Sequence, residues 1–250
     1  MLFDVYGTLV ISGSGDMDSQ AMRNDQKRVL TGVLRRYGID RTPENLMDAL
    51  RRAIENDHDR LRQEGIDYPE VDIVRIWKTV LGTGDAIWVR AFALEYEMAV
   101  NPVYPMPGLA DLLSACRGQD LLMGIISNAQ FFTLRLLERL LGKSLGMCGF
   151  DPKLTFFSYR FGSAKPSSFM FELAAEIFSH RGVPLSAVLY VGNDMRNDIL
   201  PAKTVGFQTA LFAGDRRSLR QRTDDARCRH IVPDMIITDL RQLIVDTDNS

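Results

Sequence analysis

The sequence predicts an α/β protein in which a parallel sheet forms the core and a helical segment is inserted after the first strand. In the C-terminal part of the chain, short apolar runs alternate with helical patterns, and each run is closed by polar or glycine-containing residues. This alternation is typical of parallel strands joined by crossover helices. Between the first strand and Leu121 only helical spacing occurs, which predicts the insertion.

The first strand is predicted at residues 2–4, at the very start of the sequence. It is short, because strands usually contain about five or six residues. Either the edge of the core is minimal at this point, or the natural chain begins upstream of Met1.

The helical segment contains several groups of apolar residues spaced three and four apart, which predict a small helical bundle. The groups are Val29, Leu30, Val33, Leu34 and Tyr37; Leu46, Ala49, Leu50, Ala53 and Ile54; Ile73, Ile76, Trp77 and Val80; and Trp88, Ala91 and Phe92, followed by Glu95. A Gly/Ser stretch at residues 12–15 and the prolines at 102, 105 and 107 predict hinges at its two ends. We therefore predict a helical cap over residues 15–102 and an α/β core formed by residues 1–14 and 103–250.

The remaining elements belong to the core. Strands are predicted at residues 121–127, 154–158, 187–191, 208–212 and 235–238, and helices near residues 131–141, 167–180 and 198–205. A substrate site is expected between this core and the cap.

The composition narrows the class of protein. Of the 250 residues, 46% are hydrophobic and 25% are charged, and the formal net charge of -2 provides no basic field for nucleic acid. The three cysteines are odd in number and far apart, which predicts neither a disulfide framework nor a zinc knuckle and fits a reducing cytoplasm. No apolar run has membrane-spanning length. We expect a cytoplasmic protein with no nucleic-acid or membrane partner, and its oligomeric state stays open.

Polar residues follow several predicted strands, which is where ligands bind in an open α/β sheet. The residues are Asp4, Tyr6, Gly7 and Thr8 after the first strand; Ser127 and Asn128; Lys165 before a helix; and Asn193, Asp194 and Asp198. A carboxylate can attack phosphorus or carbon and form a covalent intermediate that water cleaves. Hydroxyls, amides, a lysine or a metal must then neutralise the anionic oxygens.

Each of these segments alone also fits an ordinary structural role. Aspartate, serine and asparagine form turns and cap helices, and a Lys-Pro pair often precedes a helix. The order of all four segments is what favours a functional site.

This ordered set resembles the haloacid dehalogenase-like superfamily, whose members have a Rossmann-like core and an inserted cap, and the resemblance covers essentially the whole chain. It implies that Asp4 is the catalytic nucleophile and that Gly7 and Thr8 support its orientation. It also implies that Ser127 and Asn128 bind the transferred group and that Lys165 steadies the nucleophile.

In the phosphohydrolase branches of the superfamily, the resemblance implies a Mg²⁺ cofactor. Asp4 and the backbone carbonyl of Tyr6 are then metal ligands, together with Asp194 and with Asp198 as a direct or indirect companion. Asn193 is the alternative ligand, because many relatives have the metal-binding aspartate directly after the glycine.

Two departures from the phosphatase pattern point in opposite directions. Phosphatases usually have a second aspartate two residues after the nucleophile, as general acid and base, and Tyr6 stands there. A tyrosine with a pKa near 10 is a poor base at neutral pH. The form Asp-x-Tyr-Gly-Thr-Leu is found in 2-haloacid dehalogenases, which need no metal. However, those enzymes carry mainly neutral residues where this chain has Asp194 and Asp198, which fit Mg²⁺.

On this balance we expect a Mg²⁺-dependent hydrolase of a small phosphate ester. The first alternative is a metal-independent 2-haloacid dehalogenase, for which Arg35, Arg36 and Arg41 are candidates for the halide and carboxylate pocket. The second alternative is a catalytically weak family member that binds a ligand or partner through the cap.

Overall fold

The computed structural model describes residues 1–13 and 23–244. The strands are β1 (Leu2–Phe3), β2 (Val10–Ser12), β3 (Val103–Pro105), β4 (Met123–Ser127), β5 (Phe150–Phe157), β6 (Leu189–Gly192), β7 (Gln208–Phe212) and β8 (Met235–Ile237). The α-helices are α1 (Asn24–Arg36), α2 (Pro43–Gln63), α3 (Ile73–Leu81), α4 (Ala86–Val100), α5 (Leu109–Gly118), α6 (Phe131–Leu141), α7 (Phe169–His180) and α8 (Leu200–Thr204). Within these described residues, every helix is too short or too polar to span a bilayer.

The core is a six-stranded parallel sheet with the strand order β5-β4-β1-β6-β7-β8. Strand β1 lies between β4 and β6, so it occupies the middle of the sheet. The carboxyl ends of these three strands therefore meet at one place, where α/β proteins bind their ligands.

Helices cover both faces of this sheet. Leu2 belongs to an apolar cluster with α7 and α8, whereas its neighbour Phe3 belongs to a cluster with α5 and α6, because successive residues of a strand point to opposite faces. Both side chains are fully buried. The short first strand therefore lies at the centre of the core, and the interpretation of a minimal edge was wrong.

A second, two-stranded antiparallel sheet connects the core to the helices α1–α4. Val10 of β2 pairs with Pro105 of β3, and Ser12 pairs with Val103. The chain leaves the core through β2 and returns through β3, and we call the intervening helices α1–α4, with their connecting loops, the helical insertion. This small sheet was not predicted, because strands of three residues are too short to show an alternating pattern.

The helical insertion packs around Trp77, which is 1% exposed. The Trp77 ring makes edge contacts with Phe92 at 5.1 Å and with Tyr96 at 4.7 Å between ring centroids. Phe132 and Leu136 of α6 belong to the same apolar cluster. The insertion is therefore anchored on a helix of the core.

The predicted fold class, α/β with a parallel sheet core, is confirmed. The strand at residues 208–212 has the predicted bounds, but β4 begins two residues later than predicted because Leu121 and Leu122 are exposed at 36% and 40%. The helix predicted near residues 198–205 is present as α8, Leu200–Thr204, and a π-helical turn, Met195–Ile199, precedes it. The domain boundary predicted between residues 14 and 15, with that part of the Gly/Ser stretch, lies outside the described residues, and the division into two domains stays a prediction.

Candidate active site

Three neighbouring strands bring the predicted site residues together. Asp4 follows β1, Ser127 ends β4 and Asn193 follows β6, and these strands are adjacent in the sheet. Lys165 reaches the same place from the segment before α7.

Asp4 is 6% exposed, and hydrogen bonds hold one of its two carboxylate oxygens. Its Oδ1 accepts hydrogen bonds from the Ser127 hydroxyl at 2.8 Å and from Lys165 Nζ at 2.7 Å. Within residues 1–13 and 23–244 no side-chain nitrogen or oxygen is both fully buried and without a partner. Because Oδ2 accepts no hydrogen bond from these residues, it faces accessible space and is the oxygen available to attack a substrate.

Lys165 is shared between two carboxylates. Its Nζ donates to Asp4 Oδ1 at 2.7 Å and to Asp198 Oδ1 at 2.6 Å, and it lies 3.1 Å from the hydroxyl of Tyr190. Burial alone would lower the pKa of Lys165, but the charges of Asp198 and Asp4 outweigh it and raise the pKa above its usual value. Lys165 therefore stays charged at neutral pH.

All hydrogen-bonding positions of the Asp198 carboxylate are used. Oδ1 accepts from Lys165 and from the Tyr190 hydroxyl at 3.0 Å, and Oδ2 accepts from the backbone N–H groups of Asn193 at 3.0 Å and Asp194 at 2.9 Å. Burial raises the pKa of Asp198 to about 6, against the effect of Lys165. A Cβ atom at Gly192 would lie 2.4 Å from Asp198 Cγ, so only glycine fits there. Asp198 thus fixes both Lys165 and the loop after β6.

Asp194 is bound by the chain itself. Its Oδ1 accepts from the backbone N–H groups of Arg196 at 2.8 Å and Asn197 at 3.1 Å, which caps the following turn. The guanidinium of Arg222 donates Nε to Oδ1 at 3.1 Å and Nη2 to Oδ2 at 2.6 Å. This bidentate pair is the strong form of an arginine–carboxylate contact.

The segment that carries Arg222 also covers Asn193. The Asn193 side-chain amide donates to the Ser218 carbonyl at 2.6 Å, and its Oδ1 lies 3.4 Å from the hydroxyl of Thr8. Arg220 exchanges backbone hydrogen bonds with this loop, through the Asn193 carbonyl and the Met195 N–H group, both at 2.9 Å. We call residues 218–222 the covering segment.

These contacts engage two of the carboxylates of the predicted Mg²⁺ site. Magnesium binds oxygen ligands in an octahedral arrangement, and the protein commonly supplies one or two carboxylates. Here the carboxylate of Asp194 holds Arg222 and that of Asp198 holds Lys165. In the described part of the chain, no three His, Cys, Asp or Glu side chains are grouped so that they can hold a metal ion. Ligation of Mg²⁺ by Asp194 would require Arg222 to leave that carboxylate, and the ligand set of Asp4, Tyr6, Asn193, Asp194 and Asp198 stays a prediction.

Tyr6 stands where a general acid is expected. Its hydroxyl shares a hydrogen bond of 2.9 Å with Thr133 Oγ1 of α6. Burial, and then the charges of Glu97 and Asp4, raise the pKa of Tyr6 above its usual value, so the phenol keeps its proton at all physiological pH values. A leaving group beside Tyr6 therefore receives no help from an efficient acid.

The other predicted residues orient their neighbours. Asn128 clamps the backbone of Lys165, because its Oδ1 accepts from the Lys165 N–H group at 2.7 Å and its Nδ2 donates to the Lys165 carbonyl at 3.1 Å. Thr8 is fully buried beside Asn193. Gly7 has a φ of 82°, and a Cβ there would lie 2.5 Å from the Asn193 amide, which explains the glycine.

The three candidate arginines of the pocket lie on the surface. Arg36 pairs with Glu95 within the helical insertion, and Arg35 and Arg41 are exposed. Nothing in their contacts links them to Asp4. Sequence reasoning missed Tyr190 and Arg222, which hold Asp198 and Asp194. A polar hydroxyl within the apolar strand β6 could have indicated Tyr190. The irregular segment after β7 has no periodic pattern that could have indicated Arg222.

A family model described as haloacid dehalogenase-like hydrolase matches residues 1–206. No curated protein sequence matches the chain.

Solved structures with the same fold include both dehalogenases and phosphatases. A 2-haloacid dehalogenase from Pseudomonas syringae pv. Tomato DC3000 has a TM-score of 0.60 and 18% identity, over 97% of this chain and 94% of that one. A HAD phosphatase from Thermococcus onnurineus has a TM-score of 0.57 and 17% identity, over 97% and 94%. The putative HAD-hydrolase YfnB from Bacillus subtilis, bound to magnesium, has a TM-score of 0.55 and 18% identity, over 97% and 95%.

Proposed function

The chain belongs to the haloacid dehalogenase-like hydrolase family, and from this premise we propose that it hydrolyses a small 2-haloacid through a covalent ester on Asp4, without a divalent metal. The proposal takes the dehalogenase alternative in preference to the Mg²⁺-dependent phosphatase that the sequence favoured.

The observation that carries the proposal is the matching of charges at the carboxyl ends of β1 and β6. Three carboxylates, Asp4, Asp194 and Asp198, meet two cations of the chain, Lys165 and Arg222. One negative charge is left over, as a carboxylate nucleophile requires. A divalent metal would be needed to relieve repulsion among these acids only if the two cations were elsewhere.

The position of Tyr6 supports a substrate whose leaving group needs no proton. Halide departs as a stable anion, whereas an alkoxide leaving from a phosphate ester needs a general acid. The pKa of Tyr6, raised by burial, makes the phenol a weaker acid than free tyrosine. Halide is the leaving group that this arrangement serves best.

In the first step, Asp4 Oδ2 attacks the carbon that bears the halogen. A C–O bond forms while the carbon–halogen bond breaks, and the halide leaves with the bonding electron pair. Water then adds to the carboxyl carbon of the Asp4 ester, and the products are the 2-hydroxy acid, the regenerated carboxylate and one proton. During this addition, Lys165 and Ser127 lie at Oδ1, where they stabilise the developing negative charge.

Mg²⁺-dependent hydrolysis of a small phosphate ester is the second candidate. It is favoured by the placement of Asp4 and Asp194 after adjacent strands of the sheet. In that case Asp4, the Tyr6 carbonyl and either Asn193 or Asp194 would hold the ion, and Arg222 would have to leave Asp194.

One pair of assays separates the two candidates. Chloride release from racemic 2-chloropropionate is measured in EDTA, and phosphate release from 4-nitrophenyl phosphate is measured with Mg²⁺. We expect chloride release in EDTA, its loss in Asp4→Asn, and its retention in the matched control Asp120→Asn on an exposed turn. Phosphate release that requires Mg²⁺, without chloride release, would refute the dehalogenase proposal.

A further inference from the structure

The loop between α2 and α3 leaves the helical insertion and runs along the core segment that precedes Lys165. The Ala164 N–H group donates to the Tyr68 carbonyl at 2.8 Å, and the Glu70 N–H group donates to the Gly162 carbonyl at 3.0 Å. Pro69 and Ser163 face each other between these bonds as an antiparallel bridge. The insertion is therefore joined by its backbone to the segment that carries Lys165.

The side chain of Glu70 adds a second attachment to the core. Its Oε1 accepts from the side-chain amide of Gln130 at 2.8 Å and from the Val71 N–H group at 3.1 Å, and its Oε2 accepts from the Ser158 hydroxyl at 2.5 Å. Burial raises the pKa of Glu70. No lysine or arginine of residues 1–13 and 23–244 pairs with this carboxyl group, so neutral donors alone satisfy it. An acid that is partly removed from water in this way needs its hydrogen bonds to be tolerated.

A chain of hydrogen bonds leads from Glu70 to the loop of Asn128 and from there to the loop of Lys165. Ser158 Oγ accepts from the Ala129 N–H group at 2.9 Å, and Ala129 directly follows Asn128. Asn128 in turn holds the backbone of Lys165 through two hydrogen bonds.

We infer that Glu70 is a positioning residue, which docks the helical insertion onto the loops of Asn128 and Lys165 and so keeps the Lys165 ammonium on Asp4. The inference rests on the proposed role of Lys165 in the reaction. Since a misplacement of about 1 Å can lower a rate by roughly 100-fold, loss of this contact affects the chemical step more than substrate binding.

Glutamine is a conservative test at this position. In Glu70→Gln, the new side-chain amide nitrogen would donate to Ser158 Oγ, and the Ser158 hydroxyl can turn to its second acceptor, the Ala129 carbonyl at 3.2 Å. Glu70→Gln therefore keeps the connection, whereas Glu70→Ala removes it. Glu70→Asp shortens the side chain by one methylene and serves where the alanine variant does not fold. Glu55→Ala on the exposed face of α2 is the matched control.

Amide hydrogen exchange tests the inference without any substrate. We expect faster exchange at residues 126–131 and 159–168 in Glu70→Ala and Glu70→Asp, and wild-type exchange in Glu70→Gln and Glu55→Ala. Unchanged exchange in folded Glu70→Ala, or exchange in Glu70→Gln as fast as in Glu70→Ala, would overturn it.

Kinetics of chloride release then measures the consequence. In Glu70→Ala we expect kcat to fall by about 10- to 100-fold with KM changed less than about threefold, and near-complete recovery in Glu70→Gln. A rise in KM alone would overturn the positioning role. If the wild-type protein releases no chloride, the proposed function fails, and the exchange experiment still decides whether Glu70 orders the two loops.

Discussion

Two charge clusters occupy the same end of the sheet, and they neutralise their carboxylates differently. In the buried cluster, the Lys165 side chain is 3% exposed and is shared by Asp4 and Asp198. In the second cluster, Asp194 has its own partner, Arg222 of the covering segment, whose side chain is 26% exposed. The Asp4 and Asp194 side chains are equally buried, at 9% exposed, so the two clusters differ in their cation: water reaches Arg222 but not Lys165. The buried cluster holds the carboxylate that the proposed reaction uses, whereas Arg222 of the covering segment occupies the carboxylate of Asp194.

The largest expected effect comes from Lys165→Met, which leaves two buried carboxylates without a cation. Removal of one partner of a buried pair destabilises a protein by about 3–5 kcal/mol, and loss of a donor to the reacting oxygens lowers kcat by about 100- to 1000-fold. Urea unfolding and chloride release measure the two effects.

The matched control is Lys203→Met, which breaks a half-exposed ion pair of 2.9 Å with Asp234. We expect a loss of at most about 1 kcal/mol and unchanged activity. Similar losses of stability in the two variants would contradict the distinction between buried and accessible charges.

The next effect is a fall of kcat/KM at acid pH. The ionised form of Asp198 accepts the hydrogen bonds from Lys165 and the loop after β6, and its pKa is about 6 because burial raises it. We therefore expect kcat/KM to fall about tenfold per pH unit below about 6.

The contribution of Asp198 to the free energy of unfolding increases as the pH falls over this range, whereas kcat/KM decreases. Because the pKa of Asp198 is higher in the folded protein than its ordinary value of 3.8, its protonation favours the folded state. The stabilisation is complete below about pH 4 and is lost as the pH rises through about 6. The variant Asp198→Asn tests the activity prediction. If its residual kcat/KM still falls below about pH 6, the fall does not come from Asp198.

A smaller effect is expected at the covering segment. Arg222→Gln removes the bidentate pair with Asp194, and we expect a loss of about 1–2 kcal/mol on urea unfolding. Chloride release in EDTA should persist. The released carboxylate of Asp194 should also bind Mn²⁺ weakly, as measured by electron paramagnetic resonance, and the double variant Arg222→Gln/Asp194→Asn should lose this binding.

Arg227→Gln provides the matched control, because Arg227 pairs with Asp225 at 2.7 Å after the covering segment and is 48% exposed. We expect no Mn²⁺ binding in this variant or in the wild-type protein. Wild-type binding that depends on Asp194 would show that Arg222 yields to a metal, and it would support the phosphatase candidate instead.

The contrast between the two clusters also explains what the sequence could predict. Asp4, Ser127 and Lys165 follow or precede regular elements, so their order along the chain placed them at one edge of a parallel sheet. The partners of Asp194 and Asp198 depend on tertiary contacts: Arg222 lies in an irregular segment without periodicity, and Glu70 lies in a loop of the helical insertion. The acids after β6 therefore seemed to lack cations, and a metal was predicted in their place.

The smallest effect is expected at Tyr6, because its hydrogen bond with Thr133 joins two uncharged side chains. Tyr6→Phe removes only the 2.9 Å hydrogen bond to Thr133, which is 1% exposed, and such a bond contributes about 0.5–1.5 kcal/mol. Thr133→Val removes the same bond from the other side, so a double-mutant cycle should give a coupling of that size, while Thr133→Ser should retain the bond. Because the phenol keeps its proton and halide needs none, chloride release should change less than about threefold in Tyr6→Phe. A 100-fold loss would instead make Tyr6 a proton donor, and the leaving group would then be one that requires protonation.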